Sequence, residues 1–254
     1  MAAAPSRWGV AAAFAIRRAT GAEVSLVAAS GLGWVGMWLM ANPIWFDLCI
    51  GSGDAIARLD AHFRAASDSG YAIHATVHWL LMIGAMMLPL TLEPVRNVTF
   101  RSLPRRRARA VCLFFVAYLG IWLAAGGALL ISSLALRSTS LPVPGLSFWL
   151  PMAAACWQLT PWRRQALRQC HRPPALRPDG QRADLDCVLY GSRQGIACLA
   201  TCCPAMLSAM LSPFPLCASF ILATILFIER GNLRWTPMPI ALALVAIGLS
   251  SIVA

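Results

Sequence analysis

Residues 110–136 read AVCLFFVAYLGIWLAAGGALLISSLAL and include no charged side chain. The hydrocarbon core of a bilayer is about 30 Å thick, and an α-helix crosses it with about 20 apolar residues at about 1.5 Å per residue. This segment is therefore long enough and apolar enough to cross a membrane as one helix. It predicts that the chain is an all-α integral membrane protein.

The composition of the whole chain supports the same fold class. Of its 254 residues, 59% are hydrophobic and 12% are charged, whereas soluble domains have about 45–50% apolar and about 25% charged residues. So little charge leaves too little polar surface to solvate a globule of this size, and we expect the lipid bilayer to cover much of it. The net charge of +11 is the difference between 21 basic residues, all of them arginine, and 10 acidic residues. Because the arginines stand between apolar runs, membrane topology explains them better than nucleic-acid binding does, and no nucleic-acid partner is expected.

We predict a transmembrane helix bundle of about seven spans that forms a single integral membrane domain over residues 1–254. The spans are residues 24–41, 72–92, 110–136, 144–160, 195–212, 214–228 and 237–254. The second, third and fifth are the clearest, and the fourth and seventh are short. Only Pro213 separates the fifth span from the sixth, so these two form either a helical hairpin or a re-entrant pair.

The distribution of arginine sets the predicted orientation. Cytoplasmic loops of membrane proteins are enriched in Lys and Arg. With the N-terminus inside, 18 of the 21 arginines fall in inside segments and 3 fall outside, at Arg58, Arg64 and Arg137. We therefore expect the N-terminus inside and the C-terminus outside.

Two further predictions concern the membrane surfaces. In the outer loop, Ile56, Leu59 and Phe63 recur at helical spacing among charged residues, which predicts an amphipathic helix on the membrane surface. At the inner ends of the second and sixth spans, Glu93 and Glu229 are expected to pair with nearby arginines.

The second span carries a stripe of metal-binding residue types. Its members, spaced four apart, are His74, His78, Met82 and Met86. Residues i and i+4 share one face of a helix. Thioethers favour Cu(I), imidazole suits copper, zinc or iron, and a histidine in a membrane segment suggests function. The alternative is that the methionines fill the core and that His74 lies at the interface.

A similar stripe lies in the fifth span. Its members, again four apart, are Cys198, Cys202, Met206 and Met210. This span runs antiparallel to the second, so Cys202, Cys203 and Met206 should lie at about the depth of Met82. Two helix faces that carry sulfur ligands at the same depth can face each other in the core of a bundle. Pro204 removes one backbone hydrogen bond and would open a kink beside the site. The alternative is close packing of small residues between helices.

Three segments, in order along the chain, resemble one bacterial family. Residues 79–89, Trp-Leu-Leu-Met-Ile-Gly-Ala-Met-Met-Leu-Pro, are similar to its W-x-x-M-x-x-A-M-M-x-P signature. Residues 157–173 are similar to its Y/W-Q-x-T-P-x-K-x-x-C-L-x-x-C-R-x-P stretch, and residues 191–230 to its cysteine-containing region with C-C-W-x-L-M. The family is that of the predicted metal-binding integral membrane proteins.

The resemblance implies a metal-binding protein of the bacterial inner membrane and a set of candidate ligands. By resemblance, these ligands are Met82, Met86, Met87, Cys170, Cys198, Cys202 and Cys203. His74, His78 and Met206 are candidates on the stripe argument alone. The chain departs from the family pattern at Pro204, where the family has Trp, and at Ala166, where it has the first Cys of a pair. It is therefore identified as a divergent member.

Three functions fit these residues. The first is an integral membrane protein that binds a soft metal ion, copper, within the bundle for metal handling or transfer. The second is a subunit of a membrane oxidoreductase that holds a redox metal with the same ligands. The third is a structural or assembly subunit of a membrane complex, in which Met and Cys only pack. The chain has no phosphate-binding Gly-rich loop, nucleophile elbow or HExxH pattern, which disfavours hydrolysis and nucleotide-driven transport by this chain alone.

Overall fold

The computed structural model describes residues 21–41, 69–138, 145–231 and 236–253, and the regular elements in these ranges are helical. The α-helices are α1 (Gly21–Ala41), α2 (Ser69–Met82), α3 (Leu92–Arg101), α4 (Arg107–Ser138), α5 (Leu146–Leu159), α6 (Pro161–Cys170), α7 (Gln181–Met210), α8 (Pro215–Gly231) and α9 (Met238–Val253). A π-helix (Ile83–Met87) and a 3₁₀ turn (Pro89–Thr91) join α2 to α3, and a second 3₁₀ turn (Pro104–Arg106) precedes α4. The prediction of an all-α fold is confirmed for the described part of the chain.

The predicted segments coincide with helices. The segment 110–136 lies within α4, and most of the segment 195–212 is the second half of α7. The charged first half of α7 lies between the fourth and fifth predicted spans. Helices α7 and α8 follow each other closely and pack together. The amphipathic helix predicted around residues 56–63 lies outside the described residues.

Length and composition identify fewer membrane-capable helices than the sequence predicts. Within the described residues, one helix, Pro104–Ser132, is long and apolar enough to cross a membrane by itself, with a mean hydropathy of 2.1. The pair Thr76–Met87 and Pro89–Arg101, bent by 48°, adds a second if it forms one broken span. Glu23–Leu39 and Met238–Ile252 are apolar but shorter. These lengths support one or two spans. They do not support the predicted seven-span topology.

Helix α7 is the centre of the packing. It contacts α4, α5, α6, α8 and α9. Two glycines form its contact with α4: a Cβ on Gly191 would overlap the carbonyl oxygen of Phe114, and a Cβ on Gly195 would lie 3.0 Å from the Cβ of Ile121. Small residues let two helix backbones approach closely. This approach sets the distance between the side chains of α4 and those of α7.

The interior of the bundle contains polar side chains, while its outer faces are apolar. Buried polar residues include Gln158, Arg163, Gln194, Thr201 and Glu229. On the outer faces, Leu32 of α1, Ile131 of α4 and Leu242 of α9 are each at least 66% exposed. Large exposed apolar surfaces mark sites of interaction with other proteins or with a membrane.

Local sequence signals fix the short helix α6. The Thr160 hydroxyl accepts a hydrogen bond from the Arg163 N–H at 3.3 Å, as the side chain of an N-cap residue does. Pro161 follows at the first helical position, where the missing N–H would have had no helical partner. The Thr160-Pro161 pair thus turns the chain from α5 into α6 and places Arg163 in the interior.

Candidate metal centre

Pro89 interrupts the methionine-bearing part of the chain after α2. It has no N–H to donate to the Ala85 carbonyl four residues earlier, and the Ser30 hydroxyl of α1 donates to that oxygen instead, at 2.9 Å. The preceding residues form the π-helix Ile83–Met87. A π-helix has more residues per turn than an α-helix, so it shifts the register of the predicted stripe. Met87 is fully buried in this arrangement.

Pro204 lies inside α7 and also lacks an N–H. Its missing N–H leaves the carbonyl oxygen of Ala200 without its helical partner, and the Trp157 indole N–H donates to that oxygen at 2.8 Å. The neighbouring Gln158 side chain donates to the Thr201 carbonyl at 3.5 Å. Helix α7 therefore continues through the proline with two side chains of α5 bonded to its backbone.

Three buried sulfur atoms lie close together where the π-helix faces α7. Cys198 Sγ lies 3.7 Å from Met87 Sδ and 3.9 Å from Cys202 Sγ. All three side chains are at most 3% exposed. The contact follows the antiparallel register expected for the second and fifth spans, because Met87 lies beyond Met82 and Cys198 lies before Cys202 by about one turn. We call Met87, Cys198 and Cys202 the sulfur cluster.

The two distances from Cys198 Sγ match the separation of two sulfur ligands on one soft metal ion. A metal–sulfur bond of about 2.3 Å separates two sulfur ligands of one ion by about 3.8–4.0 Å in tetrahedral or trigonal geometry. Both distances from Cys198 Sγ, 3.7 and 3.9 Å, are close to this separation. Within the described residues, no three His, Cys, Asp or Glu side chains are grouped to hold a metal ion. A third donor beside the two cysteines would be the Met87 thioether, and a set of thiolates and a thioether favours Cu(I).

Polar groups surround the two cysteines of the cluster. The Tyr118 O–H donates a hydrogen bond to Cys198 Sγ at 3.3 Å, and Arg230 Nη1 of α8 approaches the same sulfur at 3.9 Å. The Thr201 hydroxyl lies 3.4 Å from Cys202 Sγ. Hydrogen bonds of this kind orient metal ligands and tune the bound metal. The positive charge of Arg230 complements the negative charge of a metal-bound thiolate.

Two contacts fix the end of α8, where Arg230 lies, to α6. The Arg163 guanidinium forms a bidentate ion pair with the Glu229 carboxylate, and both side chains are at most 4% exposed. His171 contacts the carbonyl oxygen of Arg230 through Nε2 at 2.7 Å and a carbonyl oxygen of α6 through Nδ1 at 2.8 Å. The prediction that Glu229 pairs with an arginine is confirmed, while Glu93 is exposed on α3.

Cys170, at the end of α6, is a buried thiol close to Arg230. Burial raises the pKa of Cys170 to about 11, and the charge of the Arg230 guanidinium opposes this rise. The thiol of Cys170 is therefore protonated at neutral pH. The structure brings this predicted ligand into the neighbourhood of the cluster, but the sulfur–sulfur contacts of Cys198 do not include it.

The other predicted ligands lie on α2, the π-helix and α7. Three of them are buried in the same core, namely Met82, Met86 and Met206. Cys203 is half-buried and packs against that core. His78 is half-buried on α2. His74 lies in α2, and its side chain is outside the described residues.

Sequence reasoning does not identify Tyr118 and Arg230 as members of the site. Tyr118 is the single tyrosine of the apolar run 110–136, and a buried phenol usually finds a hydrogen-bond partner, which is the signal that could have marked it. Arg230 stands next to Glu229 in sequence. On the sequence alone it is only one of the arginines that indicate an inside segment. The fold shows that Glu229 pairs with Arg163, while Arg230 faces the sulfur cluster.

The described residues form an all-α fold whose interior brings the sulfur atoms of Met87, Cys198 and Cys202 together. A sequence model of the PpoB2 family, described as a copper chaperone, matches residues 76–251, which include the whole sulfur cluster. Because the match covers well over half of the chain, the protein belongs to this copper chaperone family. Comparison with curated proteins and with solved structures found no match.

Proposed function

We propose that this protein is an integral membrane protein that binds Cu(I) as cargo at the sulfur cluster and transfers it to a partner. The observation that carries the proposal is the meeting of Met87, Cys198 and Cys202 in the interior, with sulfur–sulfur distances of 3.7 and 3.9 Å. Soft sulfur ligands select Cu(I) over harder ions. Membership in the copper chaperone family supports copper over other soft metals.

A three-ligand site suits a protein that hands its metal on. A closed four-ligand site holds its metal as a structural element, whereas an open position admits an incoming ligand from a partner. We propose His74, His78 and Met82 as ligands that pass the ion from the outer side toward the cluster, because the histidines precede Met82 on α2 by two turns and one turn. Met86, Cys170, Cys203 and Met206 stay predicted ligands of the surrounding core.

For the surroundings of the site, we propose the seven-span topology in the bacterial inner membrane, with the N-terminus inside. The helical state of the predicted segments, the inside bias of arginine and the apolar outer faces of α1, α4, α8 and α9 support it. A bilayer accommodates helices shorter than its core by local thinning. Polar side chains of a membrane protein then point inward, as Gln158 and Arg163 do.

Copper content tests the proposal. The detergent-purified protein is loaded with Cu(I) without oxygen, desalted and measured by mass spectrometry. Near-stoichiometric copper is expected in the parent, and its loss is expected in the double variant Cys198→Ala, Cys202→Ala. The matched control is Cys112→Ala, Cys156→Ala, which removes two exposed thiols and should keep the copper. Equal trace copper in all three proteins would reject the site and favour a structural subunit.

Labelling of single cysteines tests the topology. The proposal places Leu146, at the start of α5, outside and Asp179, before α7, inside. A membrane-impermeant maleimide added to spheroplasts should label Leu146→Cys above the parent background and should label Asp179→Cys only after the membrane is opened. Equal labelling of both variants in sealed spheroplasts would contradict the proposed orientation.

A further inference from the structure

The net charge of the buried sulfur cluster after metal binding depends on the charge of the metal ion. Two thiolates and a monovalent ion together carry one net negative charge, whereas two thiolates and a divalent ion are neutral. A net charge buried away from water is costly unless an opposite charge lies nearby. The charge of the ion therefore determines which countercharge the surroundings of Cys198 and Cys202 must provide.

Arg230 provides one positive charge next to the cluster. Its Nη1 lies 3.9 Å from Cys198 Sγ. The ionisable groups that act most strongly on the Arg230 guanidinium are Cys170, Cys198, Tyr118 and Cys202. These groups are thiols and a phenol, so a negative charge near Arg230 arises chiefly when the cysteines bind metal as thiolates.

The acid nearest to Arg230 in sequence is already paired. Glu229 forms its bidentate ion pair with Arg163, and both of these side chains are buried. Among the ion pairs formed within the described residues, none includes Arg230. Contact with His171 through the Arg230 carbonyl holds this end of α8 in place. The guanidinium is thus positioned at the sulfur cluster with its charge available.

We infer that Arg230 is a specificity-determining residue that makes the sulfur cluster select monovalent over divalent soft ions. With Cu(I) or Ag(I), two thiol protons leave, one positive charge enters, and the guanidinium neutralises the remaining negative charge. With Cd(II) or Zn(II), the cluster is neutral without help, and the half-buried guanidinium is left without a countercharge at the site. This inference rests on the proposed function, since it concerns the same site.

The test compares a monovalent with a divalent probe of similar softness. Ag(I) and Cd(II) affinities are measured by competition with chelators for the purified parent, Arg230→Gln and Arg230→Lys. In Arg230→Gln, the Ag(I) affinity should fall at least tenfold while the Cd(II) affinity stays the same or rises. Arg230→Lys keeps the charge and should keep most of the preference for Ag(I). The control is Arg168→Gln, which removes an exposed arginine of α6 and should change neither affinity.

Three other results would overturn the inference. An equal loss of both affinities in Arg230→Gln would mean that Arg230 only supports the fold, and unchanged affinities would mean that its charge does not act on the site. If Arg230→Lys lost the preference as fully as Arg230→Gln, charge would not be the cause. A parent that binds neither ion through Cys198 and Cys202 would overturn the proposed function as well, so the two failures are distinguishable.

Discussion

The indole N–H of Trp157 donates a hydrogen bond, at 2.8 Å, to the carbonyl oxygen of Ala200, which Pro204 leaves without its helical partner. The Ser30 hydroxyl likewise donates a hydrogen bond, at 2.9 Å, to the Ala85 carbonyl oxygen, to which Pro89 cannot donate. Each helical stretch that brings sulfur atoms to the site thus contains a proline, and a side chain of a neighbouring helix bonds to the carbonyl oxygen to which that proline cannot donate. A buried carbonyl without a partner costs about 1–3 kcal/mol, so these two contacts make the prolines tolerable beside the sulfur cluster.

The Trp157 contact predicts a coupling between two substitutions. Trp157→Phe should lower the free energy of unfolding by about 1–3 kcal/mol, because the Ala200 oxygen loses its donor. In a Pro204→Ala background, the restored N–H of residue 204 can bond to that oxygen, and the same substitution should cost less. Unfolding of the four proteins in mixed micelles gives the coupling as a double-mutant cycle.

The control for this cycle is Trp162→Phe, since Trp162 is 71% exposed on α6. It should change stability little in either background. An equal cost of Trp157→Phe with and without Pro204 would show that the indole N–H does not replace the missing helical donor.

Replacing glycine by alanine should have opposite effects on stability at two positions in the helices. Gly191→Ala places a Cβ against the Phe114 carbonyl oxygen of α4, while Gly120→Ala places one in open space. We expect Gly191→Ala to destabilise by about 1–3 kcal/mol through overpacking. Gly120→Ala should be neutral or stabilise by up to about 1 kcal/mol, because alanine is the better helix former. Thermal unfolding of both variants checks this; similar behaviour of the two would contradict the close packing of α4 and α7.

The buried ion pair between Arg163 and Glu229 predicts that a single substitution is worse than a double one. Glu229→Gln leaves a buried guanidinium without its countercharge, which should cost about 3–5 kcal/mol. Arg163→Met together with Glu229→Leu removes both charges and should be more stable than the single variant. Unfolding free energies of the three proteins decide the point. A single variant at least as stable as the double variant would mean that water reaches the pair.

The ion pairs of Asp184 predict a dependence of stability on pH. A hydrogen bond from Arg106, and the charges of Arg106 and Arg109, hold the pKa of Asp184 below its ordinary value of 3.8. Because the folded pKa is lower than the unfolded one, this stabilisation is present above about pH 4 and is lost as the pH falls through the folded pKa. Asp184→Asn should melt at a lower temperature than the parent near neutral pH, and the difference should close in acid.

The control for the pH series is Asp179→Asn, whose amide oxygen can still accept the Gly180 N–H. This variant should follow the parent at every pH. A difference between Asp184→Asn and the parent that persists unchanged into acid would assign the effect to the shape of the side chain rather than to its charge.

The helices and the pairing of the two sulfur-bearing stretches could be predicted from the sequence, because apolar runs and i, i+4 spacing report local structure directly. The sequence alone does not predict that Met87 is the residue that contacts Cys198. A regular helix puts Met86 on the stripe, whereas the π-helix that precedes Pro89 shifts its register. The charged first half of α7 is not part of any predicted span, because apolar runs do not mark a helix that packs on α6 and carries charged residues.

The surroundings of the cluster depend on which partners the fold selects. Glu229 and Arg230 are neighbours in sequence, and nothing in their order shows that Arg163 takes the carboxylate while Arg230 faces the thiols. Tyr118 lies 80 residues from Cys198 along the chain, so their hydrogen bond is likewise visible only in three dimensions. Residue type and spacing identified candidate ligands, and long-range pairing decided which groups surround them.

The most direct test of the central claim is X-ray absorption at the copper edge, on protein loaded with Cu(I) and with selenomethionine in place of methionine. The account predicts a first shell of sulfur with a selenium neighbour. The selenium signal should disappear in Met87→Leu and persist in the control Met152→Leu, a half-buried methionine of α5. A first shell of nitrogen, or a selenium signal that Met87→Leu leaves unchanged, would contradict the assignment of Met87, Cys198 and Cys202 as the copper site.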